Sequence, residues 1–549
     1  MGGRSPGHRR EARGYCTTAL LAAAMQFAMA GAAHAESGNS PLLIRTGDGL
    51  VRGAEAAGVR QFKGIPFAAP PLGALRFEPP APVVPWQGVL DASQYRAACP
   101  QAVRFGLTEA SDEEDCLHLN VAVPATPDKG LLRPVLVWFY GGAFVGGSTK
   151  LYPLDHLARE GDMVVVSSNY RLGPLGFMAH PAFGADFNGG YALEDQRQAL
   201  RWVQQNIAAF GGDPRNVTIG GVSAGAASVC MHLIAPERTA GLFHKAIIQS
   251  AGCTWQMRPV AEAQKSGLEV AKIVGCTDPA TALACLRSKS AHDLVAAGTT
   301  VAGKDYLAFA PSYGTKAQPR PSAEAFASGN FVRVPILNGG AKDEMRVYVG
   351  YEVEAGVKIT PEVYRERLRA LYGKNADAVI TNYPVERYSS PPTALGSVMS
   401  DFMPGAGLNM CLFLRTAWLA SRYVPVYEYE FADPNAPPVM KNPGMELGAV
   451  HTAEMPYLFP RFSNTSRLDG PEVEPGSQPL SKQMVAYWSA FVHNGVPSVK
   501  GLPQWQPFAA NGLTLRLKPG EVGMFDAGAT HQCPFWEKLY PDELARQAQ

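Results

Sequence analysis

The 549-residue sequence has almost no imbalance of charge: 49 lysines and arginines face 48 aspartates and glutamates, for a formal net charge of +1. That balance gives no global electrostatic attraction to nucleic acid or to an anionic membrane. Neither Cys-x-x-Cys nor His-Glu-x-x-His occurs, and the 11 histidines are scattered singly, so the spacing of a dedicated zinc site is missing. Internal repeats and low-complexity tracts are absent as well, which excludes a repeat architecture. What is present is 46% apolar and 18% charged residues, an ordinary globular composition in a chain long enough for a large core.

Residues 1–35 read as a cleavable export signal. Arg4, Arg9, Arg10 and Arg13 form a basic start, an apolar run follows over 17–33, and Ala33-His34-Ala35 places cleavage after Ala35. The run is too short, and ends in residues too small, for a membrane anchor, so no stable membrane insertion is expected. Cys16 precedes the run, where a lipid anchor would follow it. Export predicts a secreted or periplasmic protein whose remaining eight cysteines meet an oxidising compartment. Those cysteines are Cys99, Cys116, Cys230, Cys253, Cys276, Cys285, Cys411 and Cys533. Eight cysteines allow about 105 pairings, and spacing does not choose among them.

Short β-branched runs at 135–139, 163–166, 217–219, 246–248, 334–337, 424–431 and 513–517 predict strands. Helical patterns over 192–210 and 224–234 lie among them. Strands alternating with helices imply a mostly parallel sheet covered on both faces, in a single domain over 36–549. Residues 254–325 and 356–423 carry little strand character and predict helical insertions over the end of the sheet.

Gly220-Gly221-Val222-Ser223-Ala224-Gly225 falls directly between one predicted strand and one predicted helix. A nucleophilic serine must project from a tight strand-to-helix turn, and small residues two before and two after let that turn close. A plain glycine turn gives the same letters by chance in a chain with 56 glycines, but the strand–helix context favours the nucleophile. Upstream, Tyr140-Gly141-Gly142-Ala143-Phe144 ends another predicted strand. Acyl transfer builds negative charge on a carbonyl oxygen, which backbone N–H groups of Gly142 and Ala143, with that of Ala224, can stabilise.

These motifs come in an order that resembles the type B carboxylesterases, a family that includes cholinesterases, fungal lipases and bacterial para-nitrobenzyl esterases. The likeness starts at Thr46-Gly47-Asp48-Gly49 and Phe62-Lys63-Gly64-Ile65-Pro66-Phe67. It continues through Arg76-Phe77, Glu114-Asp115-Cys116-Leu117-His118-Leu119-Asn120, Ser168-Asn169-Tyr170-Arg171, Phe210-Gly211-Gly212-Asp213-Pro214 and Tyr487-Trp488 with Phe491. It implies an α/β-hydrolase fold and a triad in the order Ser223, Glu344, His451. Glu344 stands in Lys342-Asp343-Glu344 and His451 in Gly448-Ala449-Val450-His451. Asp343 is the rival acid by adjacency. Ser250 matches a serine that supports the acid in relatives, whereas His118 and His232 read as structural. Disulfides Cys99–Cys116 and Cys276–Cys285 are also implied.

Two positions depart from the family pattern. Val222 stands where relatives usually carry glutamate, and Ala143 where they carry a third loop glycine. The Cys99–Cys116 loop also contains no tryptophan with which to hold a quaternary ammonium, so a choline-ester specialist is not expected. The implied function is hydrolysis of small-molecule carboxylic esters through an acyl-enzyme, with no metal or organic cofactor. A catalytically silent binding or adhesion protein is the competing class, but such proteins lose a triad member and all three candidates stand here. An amidase or transacylase would use the same triad. The natural ester and the oligomeric state stay open.

Overall fold

The structure, a computed structural model, describes residues 41–103, 109–126, 130–462 and 472–545. The signal peptide expected over 1–35 lies outside the described residues. The whole central sheet lies within Ile44–Gln549.

Eleven strands form that sheet among the described residues. They are β1 (Ala54–Ala56), β2 (Val59–Pro66), β3 (His118–Pro124), β4 (Arg133–Phe139), β5 (Val164–Ser168), β6 (Gly212–Val222), β7 (Lys245–Gln249), β8 (Ile336–Ala341), β9 (Val426–Phe431), β10 (Thr514–Leu517) and β11 (Gly523–Phe525). Their order is β11-β10-β9-β8-β7-β6-β4-β5-β3-β2-β1. From β5 through β10 every pairing is parallel. Antiparallel pairs close both edges, β1–β2–β3–β5 on one side and β10–β11 on the other. Every residue of β4 and β5 is buried, so both faces of the sheet centre are covered, as parallel sheets require. This is the α/β-hydrolase arrangement.

The helices that matter for the site are α1 (Tyr191–Asn206), α2 (Ala224–Leu233), α3 (Val260–Ile273), α4 (Ala291–Lys304), α5 (Arg346–Glu354), α6 (Pro361–Tyr372), α7 (Pro391–Asp401), α8 (Met410–Ser421) and α9 (Gln478–Asn494). Side-chain oxygens start several of them: Ser290, Thr360, Ser390 and Asn409 accept the N–H three residues on. Pro361 and Pro391 follow their caps at the position where a missing N–H costs nothing. Several boundaries differ from the sequence pattern, two of them for a plain physical reason. Pro335 has no N–H for the ladder, so β8 begins at Ile336. The helical stretch read over 192–210 ends as α1 at Asn206 and tightens into a 3₁₀ turn, Ile207–Phe210, closed by Gly211 at φ 86°.

Four disulfides join Cys99–Cys116, Cys230–Cys253, Cys276–Cys285 and Cys411–Cys533. Such a set fits an oxidising compartment. Among the described residues no helix is long and apolar enough to cross a membrane.

Candidate active site

Ser223 sits between β6 and α2 with φ 58° and ψ −125°, a left-handed conformation that costs a non-glycine residue about 1–3 kcal/mol. Its neighbours explain how the turn closes. A Cβ on Gly221 would lie 2.5 Å from the carbonyl carbon of Gly225, and one on Gly225 would lie 2.1 Å from the carbonyl oxygen of Phe139. Glycine is therefore dictated at both positions by close contact with the backbone at the end of β4 and of the turn itself. The Ser223 N–H donates to the Gln249 carbonyl at 2.9 Å, tying the elbow to the end of β7.

The loop after β4 lies against this elbow. A Cβ on Gly141 would come within 2.8 Å of the Val222 carbonyl oxygen. Gly142, Ala143 and Phe144 all take positive φ, at 127°, 53° and 62°. The alanine in place of a third glycine thus occupies a strained conformation while keeping its N–H. Gly141 N–H donates to the Tyr152 hydroxyl at 3.3 Å, and Gly147 N–H to Gln101 Oε1 at 2.7 Å, which fixes both ends of the loop.

Glu344 follows β8 and is fully buried. Its Oε1 accepts from Ser250 Oγ at 2.5 Å and from Ala341 N–H at 2.8 Å, while Oε2 meets His451 Nδ1 at 2.6 Å. A carboxylate only accepts, so Nδ1 carries the proton and Nε2 is the acceptor end of the ring. Burial pushes the His451 imidazole toward its neutral form, but Glu344 more than offsets this and the pKa is raised. Asp343 has another partner: it pairs with Arg346 at 3.0 Å and accepts from Ala449 N–H, so it holds the histidine loop from behind. His232 is buried against Gln196, and His118 lies 3.7 Å from Asp115.

Ser223 opens onto two adjoining lobes. One also contains His451, Gly142 and Val222 and is walled by Tyr152, Tyr306, Tyr348 and Tyr351. The other runs along the start of α2, past Ala143 and Ala224, and is walled by Phe144, Ala227, Trp255, Leu307 and Leu408. Neither lobe is lined by an aspartate, glutamate, lysine or arginine. The tyrosine wall is not evident from the motifs, although Tyr348 and Tyr351, three residues apart, share a face of α5 just after Glu344. Among the described residues no cluster of three or more histidines, cysteines or carboxylates is placed to hold a metal.

A model of the carboxylesterase family matches residues 40–536. The acylcarnitine hydrolase of Rattus norvegicus is 35% identical over 538 residues, which cover 93% of this chain and 93% of that protein. The para-nitrobenzyl esterase of Bacillus subtilis (strain 168) is 35% identical over 84% of this chain and 91% of its own. The fumonisin B1 esterase of Sphingopyxis macrogoltabida is 34% identical over 86% of each. With a family match running almost end to end and similarity spread over most of each relative, the chain belongs to the carboxylesterase family and is a carboxylic ester hydrolase.

Proposed function

We propose that the enzyme works through an acyl-enzyme, with Ser223 as nucleophile, His451 as base and Glu344 as the acid that orients it. The observation that carries this reading is the 2.6 Å hydrogen bond that His451 Nδ1 donates to Glu344 Oε2, with His451 lining the lobe where Ser223 stands. His451 Nε2 takes the Ser223 proton as Oγ attacks the ester carbonyl carbon. Glu344 stabilises the imidazolium, and the N–H groups of Gly142, Ala143 and Ala224 receive the oxyanion. The imidazolium then returns the proton to the departing alkoxide. Water repeats the sequence on the acyl-serine, releasing the acid.

Because His451 must reach the departing oxygen, the alcohol part belongs in the tyrosine lobe and the acyl part in the apolar one. Both lobes lack fixed charge in their linings, which favours an uncharged ester. The basic, apolar, small-residue N-terminus and the four disulfides support export to the periplasm or medium.

A fluorophosphonate probe should attach to Ser223, located by peptide mass mapping. Ser223→Ala should lose the label and several powers of ten in turnover, because triad members act as a unit. Near-normal turnover in Ser223→Ala, or no label in the native enzyme, would refute the mechanism and favour a binding protein.

A further inference from the structure

Of the four disulfides among the described residues, Cys230–Cys253 joins two walls of the apolar lobe, and the family resemblance does not imply it. Ala224 and Ala227 line that lobe from α2, and Cys230 follows Ala227 by three residues, one turn further along the helix. Ala251 and Trp255 line the lobe from the segment after β7, and Cys253 stands between them in the chain. The bond holds helix and segment at a Cα–Cα separation of 5.3 Å. Both cysteines are fully buried. Thiol exchange needs access to a sulfur, so this burial argues for a fixed tether and against a redox switch.

The segment has other ties, but they lead elsewhere. Ser250 N–H donates to the Gly339 carbonyl at the end of β8, and Gly252 N–H donates to the Gly407 carbonyl before α8, each at 2.7 Å. The covalent link to the elbow helix is Cys230–Cys253 alone. Three of the facing wall residues, Ala224, Ala227 and Ala251, are alanines with no side-chain rotamers to adjust. The width between them is therefore a backbone spacing, and the disulfide fixes a backbone spacing. The tyrosine lobe differs on both counts. Its walls are long, rotatable side chains, and no residue of the segment from Ser250 to Trp255 lines it.

We infer that Cys230–Cys253 is a positioning pair that sets acyl specificity: it holds the Ala251–Trp255 wall against α2, so that the lobe takes straight acyl chains and rejects branched ones. This rests on the reading above that the acyl part occupies the apolar lobe. A wall that cannot give discriminates by shape, whereas a loosened wall admits both shapes. In a hydrophobic pocket, one misplaced methylene changes kcat/KM by about 10- to 200-fold. Loss of the tether thus relaxes acyl selection and leaves alcohol selection as it was.

The test compares para-nitrophenyl pentanoate with its branched isomer, para-nitrophenyl isopentanoate, each kcat/KM divided by the ester's rate with hydroxide. The native enzyme should favour the straight chain by roughly tenfold or more. That ratio should fall about threefold or more in Cys230→Ala/Cys253→Ala. Cys230→Val/Cys253→Ala refills much of the space without the bond, and it should show the same direction. Pentyl and isopentyl acetates, which vary the alcohol instead, should keep their native ratio in both. Cys276→Ala/Cys285→Ala removes a disulfide that lines neither lobe, so it should lower the melting temperature and leave the acyl ratio in place. A native acyl ratio near one overturns the inference, and so does an unmoved ratio in whichever of the two tether variants folds. A shift confined to the acetates overturns the lobe assignment, and this inference with it. Failure of the fluorophosphonate to label Ser223 in the native enzyme overturns the mechanism itself.

Discussion

Ser250 and His451 hold opposite oxygens of one carboxylate: Ser250 Oγ donates to Glu344 Oε1 at 2.5 Å, and His451 Nδ1 meets Oε2 at 2.6 Å. Ser250 takes φ 58° just past β7, with its N–H fixed on the Gly339 carbonyl, so the backbone itself aims the hydroxyl. Ser250→Ala leaves Oε1 with the Ala341 N–H alone. Losing a hydrogen bond to a charged group costs about 1.5–3 kcal/mol. Turnover is expected to fall roughly 10- to 100-fold with little change in KM. Steady-state kinetics checks this, and an unchanged kcat would assign Ser250 to packing.

The parallel centre of the sheet is legible in the sequence because strands buried on both faces read as continuous β-branched runs; residues 135–139 and 163–166 point directly to β4 and β5. The edge is harder to read. β2 contains Lys63, Gly64 and Pro66, and β3 alternates His118 and Asn120 with apolar residues, so family motifs mark both segments while the strand pattern hides them. At the site, the elbow is legible because steric closure demands small residues at fixed offsets. Cys230–Cys253 and Cys411–Cys533 are not, since neither spacing nor chain order specifies which ends the fold brings together.

Gly225 tests whether the elbow depends on the space that glycine leaves. An added Cβ would stand 2.1 Å from the Phe139 carbonyl oxygen, a backbone atom that cannot turn aside. Gly225→Ala must push α2 away from β4, and overpacking of this kind costs about 1–3 kcal/mol or more. A lowered melting temperature and loss of fluorophosphonate labelling are expected together. Labelling at the native rate would show that the helix shifts without disturbing Ser223.

His531 should give stability a pH dependence unrelated to catalysis. Its Nδ1 lies 2.5 Å from Asp401 and its Nε2 2.5 Å from Glu430. Burial alone would push the imidazole toward neutrality, but Asp401 and then Glu430 reverse that and raise its pKa to about 10. A folded pKa above the unfolded value of about 6.5 adds stability that is complete below that value. The contribution is lost as pH rises toward the folded pKa. Melting temperature should therefore fall between about pH 7 and 10, and His531→Gln should remove much of that slope. Equal slopes in both proteins would show that the buried imidazole does not change protonation on unfolding.

Val222 bears on which charges the alcohol lobe accepts. It is fully buried, ends β6 beside Ser223, and lines the lobe together with the tyrosines. A carboxylate in its place would attract a cationic alcohol by about 4 kcal/mol at a few ångströms and an intermediate dielectric, before solvation offsets it. Phenol rings return only about 0.5–1 kcal/mol per cation at partly open sites, so the tyrosine wall does not replace that charge. Neutral or anionic esters should accordingly have higher kcat/KM than choline esters of the same acyl chain. Val222→Glu should move the balance toward cations, unless burial next to Gln249 and Glu454 keeps the new carboxyl protonated, in which case the shift emerges only at alkaline pH. A matched pair of neutral and quaternary-ammonium esters decides it. Faster hydrolysis of the cationic ester by the native enzyme would mean that the lobe recognises charge through groups other than the residue at position 222.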